Sequence, residues 1–292
     1  MKKLDVIIIG AGISGLTASI YLARAGKSVL VIESNGIGGQ IASSPTVENY
    51  PGYSKISGIE LADKLCEQAE NLGVQIDFDT VETIVPGDEI LVKTEYSEYS
   101  CDNLIIATGA KHRHLNVPGE NELAGKGVSY CAICDGALYK NRVAAVAGGG
   151  NTALTSALYL AGICKTVYLI HRRDSYRADF SLVNKVKDTA NIIPVTGCIA
   201  ALDGTNELEK ITLTDKRELN VDGLFINIGV TPNTEIFRDI LPLDENGYIV
   251  SDESCTTKYP NIFVSGDVRT KTARQLTTAA ADGTVSALNI CK

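Results

Sequence analysis

A chain of 292 residues, 45% hydrophobic and 21% charged, has an ordinary globular composition and is long enough for two cores, which excludes wholesale disorder. Its formal net charge of -8 argues against nucleic acid as a partner, because phosphates need a basic face. No apolar run approaches the roughly 18 residues of a membrane span, so no membrane association is expected.

The chain opens on a strand-like run, Asp5-Val6-Ile7-Ile8-Ile9, too short for a signal peptide, which points to the cytoplasm. The run breaks at Gly10, and Gly12 and Gly15 follow before an amphipathic helix and a second strand ending at Glu33. Short alternating segments between Val81 and Ile106, with Pro86-Gly87 at a turn, predict a small antiparallel meander that ends in a strand running to Gly109. Cys131-Ala132-Ile133-Cys134-Asp135 comes next, and then Ala144–Ala153 repeats the opening motif with Gly148, Gly150 and Ala153, at an offset of 138 residues. The register persists: Tyr21-Leu22-Ala23 falls on Tyr159-Leu160-Ala161, Val29 on Val167 and Ile32 on Ile170.

Each copy reads strand, glycine turn, helix, strand, which is the dinucleotide-binding unit. The first glycine permits the tight turn, the second lets a pyrophosphate approach the backbone, and the third lets helix and strand pack. The end of the second strand reads the adenosine ribose. In copy one it carries Glu33, an acceptor for ribose hydroxyls, which suits FAD or NAD. In copy two it carries His171, followed by Arg172, Arg173 and Arg177; guanidinium groups bind a 2′-phosphate, so NADPH is preferred over NADH. Strand-to-glycine runs return at Asp222–Gly229 and Asn261–Asp267, with Pro118-Gly119 and Leu241-Pro242 as crossing points. The expected architecture is α/β: two Rossmann-like domains, with the second, 114–241, inserted into the first, 1–113 and 242–292.

Six of the eight cysteines are scattered singly, and the pair Cys131–Cys134 stands apart. C-x-x-C spacing suits reversible disulfide chemistry, with Asp135 as proton carrier. His112 and His114 upstream leave a zinc set open as an alternative, and an inert buried pair is a third.

With these motifs the chain resembles the low-molecular-weight bacterial thioredoxin reductases over essentially its whole length. The resemblance is carried by G-A-G-I-S-G at Gly10–Gly15, G-G-Q at Gly38–Gln40, V-E-N-Y-P-G at Val47–Gly52 and A-T-G-A at Ala107–Ala110. It continues through C-A-I-C-D-G at Cys131–Gly136, G-G-G-N-T-A at Gly148–Ala153, H-R-R-D-S-Y-R at His171–Arg177, and G-D-V with A-R-Q-L at Gly266–Leu276. The resemblance implies FAD held by Gly10, Gly12, Ile13, Ser14, Gly15 and Glu33, with Gly39, Gln40, Asn49, Thr108, Gly109, Asp267, Arg274 and Gln275 around the flavin. It implies NADPH held by Gly148, Gly150, Asn151, Thr152, Ala153, His171 and the three arginines. It implies that Cys134 faces the flavin, Cys131 attacks thioredoxin, the enzyme is a homodimer and the inserted domain swivels. Leu154-Thr155-Ser156 departs from the acidic residues usual after the second glycine motif. A ferredoxin-fed reductase of the same fold, a different thioredoxin-like acceptor, and a non-catalytic flavin redox sensor are the competing readings.

Overall fold

The computed structural model describes residues 2–44 and 46–292. The chain divides into two compact units, one of residues 1–111 and 231–292, the other of residues 112–230. In the first, strands β1 (Lys2–Ile9), β2 (Val29–Glu33), β3 (Gln75–Phe78), β4 (Val81–Val85), β5 (Ile90–Thr94) and β6 (Glu98–Ile106) lie in the order β3-β2-β1-β6-β5-β4. The strand Ile262–Val264 adds to β6 as a parallel neighbour. β6 therefore serves two purposes: its first half closes the expected meander against β5, and its second half continues the parallel sheet.

Val6, Ile7 and Ile8 are fully buried because both faces of the sheet are covered, which explains their unbroken apolar run. One face meets helix α1 (Ile13–Arg24) and the C-terminal helix (Leu276–Ile290) through Leu16, Leu22 and Ala287. Gly283 permits that close approach, since a side chain there would strike the Ser14 carbonyl.

The second unit contains a five-stranded parallel sheet, Ile192–Thr196, Thr166–His171, Val143–Ala147, Gly223–Ile226 and Val128–Ser129 in spatial order. The 138-residue repeat is reproduced in the backbone. Gly10 N donates to Ile32 O at 2.8 Å and Gly148 N to Ile170 O at 3.0 Å; Leu16 N donates to Gly12 O at 3.0 Å and Leu154 N to Gly150 O at 3.1 Å. A side chain at Gly10 (φ +109°) would strike the Ala107 carbonyl, and one at Gly148 (φ +149°) the Asn227 carbonyl.

The boundaries differ from the expected 1–113, 114–241 and 242–292. Phe237 and Leu241 belong to the first unit's core with Ile262 and Val264, so apolar packing carries residues 231–241 into that unit. Asn233 ties the segment down: its N–H donates to Gly109 O at 3.0 Å, its Nδ2 to Thr108 O at 2.7 Å, and its carbonyl accepts from Thr108 Oγ1 at 2.7 Å. Pro118-Gly119 is no crossing point. It is a turn inside the second unit, where Leu202 N donates to Pro118 O at 2.9 Å and Gly119 (φ +85°) lies against the Leu202 backbone.

Candidate active site

The redox pair sits at the start of a single helical turn, Ala132–Asp135, which follows the short strand Val128–Ser129. Cys131 and Cys134 are joined as a disulfide with their Cα atoms 5.3 Å apart. Cys131 is the N-cap, and its Sγ accepts from Cys134 N at 3.2 Å. An N–H aimed at this sulfur would steady negative charge on it once the bond is reduced. Both cysteines are half-buried, while Ile133 between them is exposed.

Ser129 links the pair to Asp135. Its Oγ accepts from Cys131 N at 3.1 Å and donates to Asp135 Oδ2 at 2.5 Å. Burial pushes the Asp135 carboxyl up, with the Ser129 hydroxyl opposing. A carboxyl raised in this way holds a proton nearer neutral pH than an exposed aspartate does. We expect Asp135→Asn to slow disulfide turnover by about a hundredfold while flavin reduction is unchanged. In the parent, turnover should fall as pH rises through the raised Asp135 pKa, because the ionised carboxylate has no proton to give; that limb should be missing from the pH profile of the variant.

The two histidines of the zinc alternative engage Tyr130 instead. The His112 ring stacks on Tyr130 at 5.1 Å, and Tyr130 OH lies 2.8 Å from His114 Nδ1 and donates to Glu120 Oε1 at 2.8 Å. Glu120 is buried and also accepts from the N–H groups of Leu115 (3.1 Å) and Asn116 (2.7 Å). Among the described residues no cluster of three metal-ligating side chains occurs.

In the first unit α1 begins at Ile13, with Gly12 as an N-cap that offers no side chain, so the amides of Ile13, Ser14 and Gly15 are left for a ligand. A Cβ at Gly12 would meet nothing within 4 Å, which is the open approach a pyrophosphate needs. Glu33, at the end of β2, accepts from Ala11 N at 2.7 Å and Asn35 N at 2.8 Å, so the carboxylate is pre-oriented by the turn it serves. Gly39 opens a short 3-10 helix whose backbone lies against Gly12, and Gln40 Nε2 donates to Ala110 O. The Ser14 hydroxyl meets that of Ser265, and the Thr108 hydroxyl and Gly109 carbonyl hold Asn233; these groups brace the site through the protein itself. Asn49 is exposed and makes no side-chain hydrogen bond among the described residues.

Among the described residues, Asp267 Oδ1 and Arg274 Nε are buried polar atoms without a partner. Burial raises the Asp267 carboxyl against the pull of Lys271 and Arg274. Arg274 donates to the carbonyls of Lys271 (3.2 Å) and Arg269 (3.1 Å) and stacks on Tyr248 at 3.9 Å, leaving Nε free to bind a ligand. Gln275 caps the C-terminal helix together with Thr278. An open glycine turn, an oriented ribose acceptor and two unpartnered polar atoms fit FAD, whose pyrophosphate, ribityl hydroxyls and ring edge match those donors and acceptors.

In the second unit, Gly150 is again an N-cap with open space above it, and Ala153 is buried against Gly148. Asn151 is held by Asp179 (3.1 and 2.8 Å), whereas Thr152 is exposed. The 171–177 segment folds back on the turn: Arg177 N donates to Gly149 O at 2.7 Å and the His171 ring lies over Gly149. Burial, together with Arg172, lowers the His171 pKa, and its Nε2 is buried without a partner. Arg172, Arg173 and Arg177 are exposed, and no carboxylate pairs with their side chains among the described residues. Unpaired guanidinium groups beside an uncapped helix fit the extra phosphate of NADPH.

Sequence reading missed Ser129, Tyr248, Asp282 and Asn227. Only Asn227 lay in a segment already marked, the strand-to-glycine run at Asp222–Gly229; its Nδ2 donates to Tyr130 O at 3.3 Å.

Two dinucleotide turns and a disulfide on one chain define a nucleotide-dependent disulfide reductase fold. Residues 4–283 match the model of the pyridine nucleotide-disulphide oxidoreductases, and the chain belongs to that family. It is 40% identical to the thioredoxin reductase of Listeria innocua, covering 100% of this chain and 94% of that protein. It is also 44% identical to a 34.2 kDa protein in the rubredoxin operon of Clostridium pasteurianum, over 98% of this chain and 96% of that protein. The thioredoxin reductase structure of Streptococcus pyogenes superposes with a TM-score of 0.95 at 37% identity, covering 99% of this chain and 97% of that one. No helix among the described residues is long and apolar enough to cross a membrane.

Proposed function

We propose that the protein is an NADPH-dependent thioredoxin reductase, acting as a homodimer in the cytoplasm. The observation that carries this reading is the Cys131–Cys134 disulfide, hydrogen-bonded into the Ser129–Asp135 relay. FAD, when bound, would supply the two-electron chemistry that links a nicotinamide to a disulfide. Gly10, Gly12, Ile13, Ser14, Gly15, Glu33, Asp267 and Arg274 would hold it, and Gly148, Gly150, Asn151, Ala153, Arg172, Arg173 and Arg177 would hold NADPH. Reduction of the pair takes two electrons and one proton, which Asp135 supplies, and breaks the Cys131–Cys134 bond. This leaves a Cys131 thiolate and a Cys134 thiol whose proton passes to the partner at the second exchange. The Cys131 thiolate then attacks the thioredoxin disulfide, releasing one partner thiolate, and Cys134 displaces the second as the internal disulfide re-forms. Exposed Ile133 gives the partner an apolar contact beside the reacting sulfur.

The test is the visible spectrum of the purified protein before and after NADPH, followed by turnover with thioredoxin. A yellow protein bleached by NADPH and reoxidised by thioredoxin is expected; a colourless protein, or one that NADPH leaves yellow, overturns the reading. Reduction by ferredoxin but not NADPH would favour the ferredoxin-fed alternative. Nucleotide choice has its own check. The double variant Arg172→Ala/Arg173→Ala should raise KM for NADPH by about tenfold to a hundredfold and leave KM for NADH nearly unchanged.

A further inference from the structure

We propose that Asp282 is a positioning residue that holds the Gly266–Arg274 segment in the shape FAD binding requires; this rests on the FAD reading above. Asp282 lies on the C-terminal helix, within the first unit, and is 4% exposed. Four donors converge on its carboxylate. Oδ2 accepts from Gly266 N at 2.9 Å, Arg269 Nε at 2.8 Å and Lys271 Nζ at 2.9 Å, and Oδ1 accepts from an Arg269 terminal nitrogen at 2.8 Å. Arg269 is completely buried and the Lys271 side chain is 4% exposed, so one carboxylate organises two buried cations and a backbone amide.

Those residues bracket the two atoms left unpartnered for a ligand. Gly266 precedes Asp267, sits at φ +80° and lies against the Ser14 side chain, at the head of α1. The carbonyls of Arg269 and Lys271 are the acceptors that aim Arg274. The next residue, Gly283, is where the helix meets the Ser14 carbonyl, so the clamp is anchored on the pyrophosphate helix. Burial alone would raise the Asp282 carboxyl; the bonds from Arg269 and Lys271 outweigh it and hold the group ionised. An amide cannot replace it, because it carries no charge to offset two buried cations and its NH2 group would face a donor whichever way it is turned.

Asp282→Asn holoenzyme should release FAD on dilution, read as the rise in flavin fluorescence, with Kd weakened at least about tenfold, as loss of a charged hydrogen bond predicts. The melting-temperature gain that FAD confers should shrink with it. An unchanged Kd with a lower melting temperature of the flavin-free protein would reduce Asp282 to scaffold and overturn the proposal. Tighter FAD binding would overturn it too, since removing a negative charge near a pyrophosphate acts that way when only the field matters. Should Asp282→Asn fail to fold, Lys271→Met decides: a Kd about threefold weaker supports the clamp and an unchanged Kd refutes it. Wild-type protein that binds no FAD would refute the flavin reading itself, before any variant is compared.

Discussion

Cys131→Ser is expected to leave NADPH-driven bleaching of the flavin intact while thioredoxin turnover falls at least about a thousandfold. A serine hydroxyl is hardly ionised near neutral pH, whereas the Cys131 thiolate is favoured by the Cys134 N–H that its sulfur accepts. Stopped-flow absorbance at the flavin band and steady-state turnover separate the two half-reactions. The role of each sulfur is checked by the partner variant: Cys134→Ser should accumulate a mixed disulfide between Cys131 and thioredoxin, because no resolving thiol remains. If Cys134→Ser forms no such adduct and Cys131→Ser does, the roles are reversed.

Gly15→Ala should give a protein that is colourless as purified and about 1–3 kcal/mol less stable, the usual range for overpacking at a site that cannot relax. The added methyl would press on the Gly10 carbonyl, and Gly10 cannot yield because it is itself wedged against the Ala107 backbone and bonded to Ile32 O at 2.8 Å. Gly12→Ala supplies the contrast. Its methyl meets nothing within 4 Å, so the melting temperature of the flavin-free protein should hold while flavin content falls. Thermal melts and flavin-to-protein absorbance ratios measure both. Undiminished flavin content in Gly12→Ala would mean that the open space above Gly12 is not where the pyrophosphate lies.

Much of the fold and of the two nucleotide sites was legible before any coordinates. The glycine turns are local devices: a strand end, three small residues and a helix start must follow one another in sequence, so spacing alone reveals them. The positions of Glu33 and His171 are legible for a related reason, since each ends a strand whose length and offset are set by the same unit. The inserted unit's edge was harder. Pro118-Gly119 and Leu241-Pro242 have linker composition, but composition cannot tell an exposed crossing from a turn packed on Leu202 or a Leu241 buried in the first core.

What the amino-acid sequence determined by itself was therefore the repeated dinucleotide unit, the C-x-x-C pair and the arginine cluster at 172–177, all encoded in short stretches. Tertiary structure alone decided how those parts are braced. Asp282 reaches Gly266 across 16 residues, Ser14 meets Ser265 across 251, and Asn233 grips Thr108 across 125. It likewise decided that His112 and His114 attend to Tyr130. Such partners are chosen by where packed helices and strands bring side chains together, and burial makes an unpartnered polar group too costly to leave. No periodicity along the chain records that choice.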